Sequence, residues 1–454
     1  MKVFERCIRD ALLSVCQDSI HPSQHGFLPN KSCTTQLIPF VDELALSLNN
    51  SVIVDIVYFD FAKAFDSVNH DIILQKLKSQ FNVDGLILNF LIEYLKGRRQ
   101  RVVIDQAMST ESDVISGVPQ GSILGPLLFV LFINDMHAVV SPGTNIALYA
   151  DDTKIWRKIG SDVDSTILNN DIESLNRWAY INCMKFHPSK CKVVSNTRKN
   201  KVFSNLPFYD FPYCLDGTVL DHCESEKDLG LHIHEGLTWS VQHKELLAKA
   251  TARFNLLRRT CYFVKNQSHK RTLYLTMVRS IFEHCCCIWA PSSPSIISSF
   301  ESIQKRAIKW IFCEQFYSYS DAYYMQKLVD LDILPMAQKF LYNDMVLFFK
   351  IVNNLIPVDL PLYLTSRSNT RVASHNQCFG FDVEIVKNPI RNVFGKSFFP
   401  RCVAAWNSLT PELKSCENIN IFQSALKSHL WQIALGGFDS DLESSWGSLD
   451  IAPD

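Results

Sequence analysis

Apolar and polar positions fall along the chain in blocks whose spacing can be read directly. Phe4 to Val15 carries apolar residues at helical spacing, as an amphipathic helix would, and Val41 to Leu48 does so again before stopping at Asn49-Asn50. Ser51 to Phe59 (SVIVDIVYF) is instead rich in β-branched and aromatic residues, which predicts a strand. His70 to Phe81 and Asp84 to Lys96 predict two helices, and Gln100 to Ile104 a strand. Ser116 to Gly125 reads as a turn-rich loop, and Pro126 to Met136 as a helix with proline in its first turn. Asn145 to Tyr149 and Thr153 to Arg157 predict a hairpin, Asp164 to Trp178 a helix, and Val219 to Ile233 short strands. From His243 to about Trp310 the pattern is mostly helical. The mixture predicts an α+β chain. No internal repeat is present.

Length changes that picture first. The 454 residues give room for two to four units at roughly 100–200 residues each. Net charge is −1, so the chain as a whole is not a basic nucleic-acid binder. Its charge is uneven, however. Between Lys244 and Lys309 twelve Lys or Arg face three acids (Glu245, Glu283 and Glu301) in one helical block. Phe438 to Asp454 holds five acids and no base, which predicts a disordered tail. The fifteen cysteines are irregularly spaced, Cys285, Cys286 and Cys287 being adjacent, with no paired CxxC arrangement. That predicts reduced, mostly buried thiols and neither a zinc knuckle nor a disulfide framework. His232 and His234 alternate on a predicted strand and read as structural. The longest apolar run, Pro126 to Ile133, is far short of the roughly 20 residues a membrane span needs. The expectation is a soluble intracellular protein of nucleus or cytoplasm, with no membrane partner.

Three stretches carry candidate chemistry. Phosphoryl transfer needs positioning and charge stabilisation, commonly from two divalent ions held by carboxylates on rigid elements. Asp60 stands at the end of the apolar strand, and Asp151-Asp152 stands between two apolar stretches at a predicted hairpin tip. Each has an ordinary reading alone, a strand-end cap for Asp60 and a solvated turn for the pair. Adjacent carboxylates nevertheless repel unless a cation sits between them. The third stretch is Ser116-Gly-Val-Pro-Gln-Gly-Ser-Ile-Leu-Gly-Pro126, where glycines allow close backbone approach and Gln120 offers an amide that both donates and accepts.

These stretches resemble one family in order and spacing. Tyr58-Phe-Asp-Phe-Ala-Lys-Ala-Phe-Asp-Ser-Val-Asn-His70 resembles the first palm motif of non-LTR retrotransposon (LINE-type) reverse transcriptases. Ser116 to Pro126 resembles the second, and Ala147-Leu-Tyr-Ala-Asp-Asp-Thr-Lys154 their catalytic hairpin. Gln24 to Leu37 resembles the fingers-side motif, Lys96-Gly-Arg-Arg-Gln-Arg-Val102 a basic template-side strand, and Glu226 to Gly230 the entry to the thumb. Glu283 to Arg306 and Ser397 to Leu409 resemble segments beyond the palm.

The resemblance implies a right-hand polymerase: partial fingers over 1–57, a palm over 58–234, a basic helical thumb over 235–310, a helical C-terminal region over 311–436 and the acidic tail over 437–454. It implies RNA-directed DNA synthesis, with an RNA template, a DNA primer, dNTPs and two Mg2+ or Mn2+ ions held by Asp60, Asp151 and Asp152. Phe61, Phe65, Gln120 and Lys190 would face the nucleotide, with Phe65 screening a 2′-hydroxyl and Lys190 assisting the leaving group. Arg98, Arg99, Arg101 and Gly121 would meet template and primer. The family's usual segment before the Gln24 motif is missing, so the sequence reads as N-terminally truncated. The competing expectation is therefore a catalytically inactive RNA-binding relic that keeps palm and thumb for grip alone.

Overall fold

The computed structural model describes residues 2–197, 211–313, 320–366, 380–383 and 393–436. It divides into two compact units, Met1–Leu237 and Thr238–Asp454.

The first unit begins with α1 (Lys2–Cys16) and α2 (Cys33–Asn49). Helix α2 starts well before the expected Val41 because Ser32 and Thr35 form a capping box, each side chain accepting from the other's backbone N–H. Strand β1 (Ile53–Phe59) is buried along its whole length, as its unbroken apolar run requires. After it come α3 (His70–Phe81), capped by the Asn69 side chain, and α4 (Gly85–Leu95). The expected strand Gln100 to Ile104 is corrected to an exposed two-step ribbon. In it, β2 (Arg99–Gln100) and β3 (Val103–Ile104) pair with β5 (Ser112–Asp113) and β4 (Ala107–Met108) respectively. Nothing covers its apolar positions, so the ladder is short.

Helix α5 (Leu124–Phe132) is almost wholly buried, and β6 (Thr144–Tyr149) and β7 (Asp152–Ile159) form the expected hairpin. Helix α6 (Asp162–Ile181) and strand β8 (Lys192–Asn196) follow. The small strands β9 (Cys214–Leu215), β10 (Thr218–Val219), β11 (Asp221–His222), β12 (Ser225–Asp228) and β13 (Leu231–His234) close the unit. The central sheet has the order β11-β8-β1-β7-β6 and is antiparallel except for β11 beside β8. Its core is one contiguous cluster that draws Val57 and Leu148 from the sheet, Leu77, Phe129 and Ile172 from three helices, and Phe186 from the segment before β8.

The second unit is mainly helical: α7 (Ser240–Thr260), α8 (Gln267–Tyr274), the short α9 (Ser280–Glu283) and α10 (Cys286–Trp289), α11 (Pro294–Phe312), α12 (Asp321–Asp330) and α13 (Met336–Val352). A small ladder of β14 (Leu364–Ser366) and β15 (Phe381–Val383) precedes α14 (Phe398–Ser408), α15 (Pro411–Lys414) and α16 (Ile419–Gly436). Position 310, where a boundary was expected, lies inside α11, and Phe300 of that helix packs on Phe340 of α13 at 5.8 Å. Of the fourteen described cysteines six are buried, five half-buried and three exposed, so the expectation of mostly buried thiols is corrected; all fourteen are free. No helix among the described residues is long and apolar enough to cross a membrane. The acidic stretch 438–454 lies outside the described residues.

Candidate active site

The register of the central sheet brings the three aspartates together. Phe59 pairs with Thr153, and Tyr149 with Asp152, so Asp60 leaves β1 at the end of the sheet where the β6–β7 turn carries Asp151 and Asp152. Neighbouring strands lie about 4.8 Å apart, which sets the scale of this cluster. Two residues make the turn, and Ala150 takes the left-handed φ of 54° that it requires. Beyond β1 the chain stays pinned: His187 N–H donates to Asp60 O at 2.8 Å and Ala62 N–H to Lys185 O at 2.8 Å. That pairing brings Lys190 to the cluster, with its Nζ 3.1 Å from Asp60 Oδ2.

Two of the carboxylates are held against their electrostatic preference. Loss of hydration, then Asp60, pushes the Asp151 carboxyl up. Loss of hydration, then Asp151 and Asp228, pushes Asp152 up to about 6. Both side chains stand on a solvent-exposed turn, so their desolvation is partial. Among the described residues no three His, Cys, Asp or Glu side chains converge as a ready-made metal cage. Hard carboxylate oxygens with raised pKa values suit a magnesium-type ion, which keeps waters and substrate phosphates in its shell and seldom uses an all-protein cage.

A cavity of about 270 Å³ opens beside the cluster, lined among others by Gln36, Asp60, Asp152, Lys154, Lys190 and Asp228. Behind it Lys154 and Asp228 form a buried ion pair, with Lys154 also 3.3 Å from Gln36 Oε1 and over the Phe40 ring. Desolvation lowers the Lys154 pKa, and Asp228 opposes that shift.

The loop Ser116–Gly121 is stitched to the segment that follows Asp60. Gly117 has φ +89°, and a Cβ there would come within 2.9 Å of the Asp66 backbone. Val118 N–H donates to Phe65 O at 2.9 Å, Ser116 Oγ to Asp66 O at 3.0 Å, and Gln120 Nε2 to Asp66 Oδ1 at 2.9 Å. Gln120 is thus exposed and oriented beside Phe65, which is half-buried and stacks on Phe129 at 4.5 Å. Gly121, φ +76°, faces open space. Phe61, expected to face the nucleotide, follows Asp60 directly. It is buried, stacked on Phe186 at 4.4 Å, so its ring belongs to the core and only its backbone is left to face a nucleotide. Arg98, Arg99 and Arg101 all lie on the exposed ribbon away from the aspartates in sequence and sheet; Arg99 pairs with Asp113 at 3.3 Å, and Arg98 sits over the Tyr94 ring at 5.7 Å.

Sequence reasoning missed how the Gln24 segment serves this site. It runs beside β6, with His25 N–H on Leu148 O at 2.8 Å and Leu148 N–H on Ser23 O at 3.0 Å. Buried Gln24 Oε1 accepts from Gly26 N–H at 2.7 Å and Ala150 N–H at 3.2 Å, bracing the turn that carries Asp151. Lys31 Nζ ties the loop closed through Gln24 O at 2.7 Å. A Cβ on Gly26 would lie 2.4 Å from Ala150 N, which is why glycine stands there. Phe27, φ 58° and 55% exposed, meets Phe65 edge-on at 6.4 Å.

The fold and the aspartate cluster are those of a palm-type nucleotide-polymerising domain. A family model described as "Reverse transcriptase (RNA-dependent DNA polymerase)" matches residues 1–231, just over half of the chain, and the chain belongs to that family. It is 28% identical over 326 residues to the probable RNA-directed DNA polymerase from transposon X-element of Drosophila melanogaster, covering 69% of this chain and 35% of that protein. It is 29% identical over 249 residues to the RNA-directed DNA polymerase from mobile element jockey of the same fly, covering 53% and 26%. These relatives bear out the resemblance to non-LTR retrotransposon reverse transcriptases; the chain spans about a third of their length or less. Among solved structures, apo telomerase from Candida tropicalis aligns over 73% of this chain and 54% of its own, with TM-score 0.41 and 11% identity.

Proposed function

We propose that the chain is an RNA-directed DNA polymerase that extends a DNA primer on an RNA template by two-metal nucleotidyl transfer. The observation that carries this reading is that the sheet register delivers Asp60, Asp151 and Asp152 to one end of the sheet, with Lys190 against Asp60. In the reaction the primer 3′-hydroxyl gives its proton to water, its oxygen bonds to the α-phosphorus of a dNTP, the bond to the α,β-bridging oxygen breaks, and pyrophosphate leaves. Asp60, Asp151 and Asp152 would hold two Mg2+ or Mn2+ ions, which when bound polarise the phosphate and favour the 3′-alkoxide. Lys190 neutralises charge on the departing pyrophosphate. The Phe65 ring closes the space a ribose 2′-hydroxyl would need, and Gln120, oriented by Asp66, meets the new base pair. Backbone N–H and C=O groups around Phe61 would face the sugar of the triphosphate, while Arg98, Arg99, Arg101 and Gly121 meet the template or primer backbone.

Primer extension on an RNA template with dNTPs and Mg2+, beside an Asp151→Ala control, tests the reading. Extension that the substitution abolishes is the expected result. Salt-sensitive binding of primer–template without any extension by the parent chain would overturn it in favour of a grip-only relic.

A further inference from the structure

The twelve basic residues between Lys244 and Lys309 do not make one surface. Lys270 and Arg279 are buried. Lys270 Nζ donates to Trp310 O at 2.8 Å, and Arg279 pairs with Glu283 at 3.3 Å and donates to Leu334 O at 3.0 Å. Arg271 Nε donates to Leu331 O at 2.6 Å, Lys305 pairs with Asp321 at 3.0 Å, and Arg306 Nη2 donates to Asn255 Oδ1 at 3.0 Å. These cations tie helices together. Apart from Arg306, the exposed ones gather on α7 and the turn after it: Lys244, Lys249, Arg253, Arg258, Arg259 and Lys265. Lys249 and Arg253, at i and i+4, border the buried stripe of Leu246, Ala250, Phe254 and Leu257, and Arg259 stands on the face away from it.

The turn between α7 and α8 adds a second feature. Tyr262 and Phe263 are 75% and 65% exposed, their rings edge-to-face at 5.8 Å. Two adjacent large rings left in water, with cations on both sides, have lost hydrophobic stabilisation that a flat partner would restore. No acid occurs between Leu246 and Phe282, so the complement is an anion.

We propose that this turn binds single-stranded nucleic acid: Tyr262 and Phe263 stack on unpaired bases, while Arg258, Arg259 and Lys265 hold the flanking phosphates. A positively charged track with interleaved rings is the chemistry that unpaired strands select, because every base offers a face and every linkage a charge. A duplex hides its base faces and leaves the rings unused. Beyond half-buried Val264 the turn continues as Lys265, Asn266, Gln267 and Ser268, all polar or charged, which disfavours a lipid bilayer. The site stands on the second unit alone and does not depend on the aspartates being catalytic.

The test is fluorescence anisotropy of the full chain with labelled oligo-U RNA, oligo-dT DNA and a blunt DNA duplex, each of about 20 nucleotides or base pairs. The double variant Tyr262→Ala/Phe263→Ala should bind both single strands about tenfold or more weakly, and the duplex less than about threefold more weakly. Tyr262→Phe/Phe263→Tyr should stay within about twofold of the parent, which separates stacking from disturbed folding. Arg258→Gln/Arg259→Gln should flatten the salt dependence of single-strand binding. Phe263→Trp should report stacking directly as quenched fluorescence on adding oligo-dT. The proposal is overturned if the parent binds neither single strand, if the alanine pair leaves single-strand affinity unchanged, or if it weakens duplex equally. It is overturned too if the pair loses only binding to phosphatidylserine vesicles. Primer extension by the parent is read separately, so an inactive chain that still passes these measurements keeps this site while losing the polymerase reading.

Discussion

At the residue scale two of the site's carboxylates, Asp151 and Asp152, carry charge that the fold disfavours. Asp152 is the clearest, its carboxyl pushed up to about 6 by lost hydration, Asp151 and Asp228. A carboxyl whose folded pKa exceeds its unfolded value of about 3.9 costs stability once ionised. That cost is absent below about pH 4, grows between about 4 and 6, and is full at neutrality. Asp152→Asn should therefore raise the melting temperature of the metal-free chain at pH 7. The gain should be about 2–4 °C, or about 1 kcal/mol after discounting for water on an exposed turn, and should vanish near pH 4. Calorimetry at the two pH values measures it; a variant that melts lower at pH 7 would count against the electrostatic account. The aspartates themselves were legible because Asp60 ends a β-branched run and the Asp-Asp pair sits between two apolar stretches. The direction of the Phe61 ring was not legible, because an aromatic beside Asp60 gives no sign of which way its ring points. Its stacking on Phe186, far along the chain, decides that.

At the element scale, legibility follows locality. Strand β1, the β6–β7 hairpin and helix α3 were readable because their periodicity and caps lie within the element. The ribbon from Arg99 to Asp113 was not, since its pairing depends on which apolar positions are covered. The Lys154–Asp228 pair was equally hidden, joining β7 to β12 across 74 positions. A buried pair costs most when half of it is removed. Lys154→Met and Asp228→Leu alone should each lower unfolding free energy by about 3–5 kcal/mol, and the double variant should return close to the parent. Urea unfolding followed by tryptophan fluorescence checks this. Single and double variants losing equal stability would show that the pair's geometry, not its uncompensated charge, matters.

At the scale of the whole molecule, a net charge of −1 conceals the basic block, and the block in turn conceals its division into internal ties and an exposed face. Nor did the pattern show that α11 continues through position 310, because an amphipathic helix looks alike whether it ends a unit or runs through its core. The central claim is that Asp60, Asp151 and Asp152, delivered by two strands and one turn, act as a single cation-holding set. Groups that act as a unit give non-additive losses on removal. The most direct measurement is single-turnover incorporation of one dNTP on an RNA-templated primer by the parent, by Asp60→Asn, Asp151→Asn and Asp152→Asn, and by the triple variant. Every single variant should fall by about a thousandfold or more, to a rate near that of the triple, with primer–template affinity kept within about threefold. Any single variant that keeps a rate within about tenfold of the parent would contradict the claim.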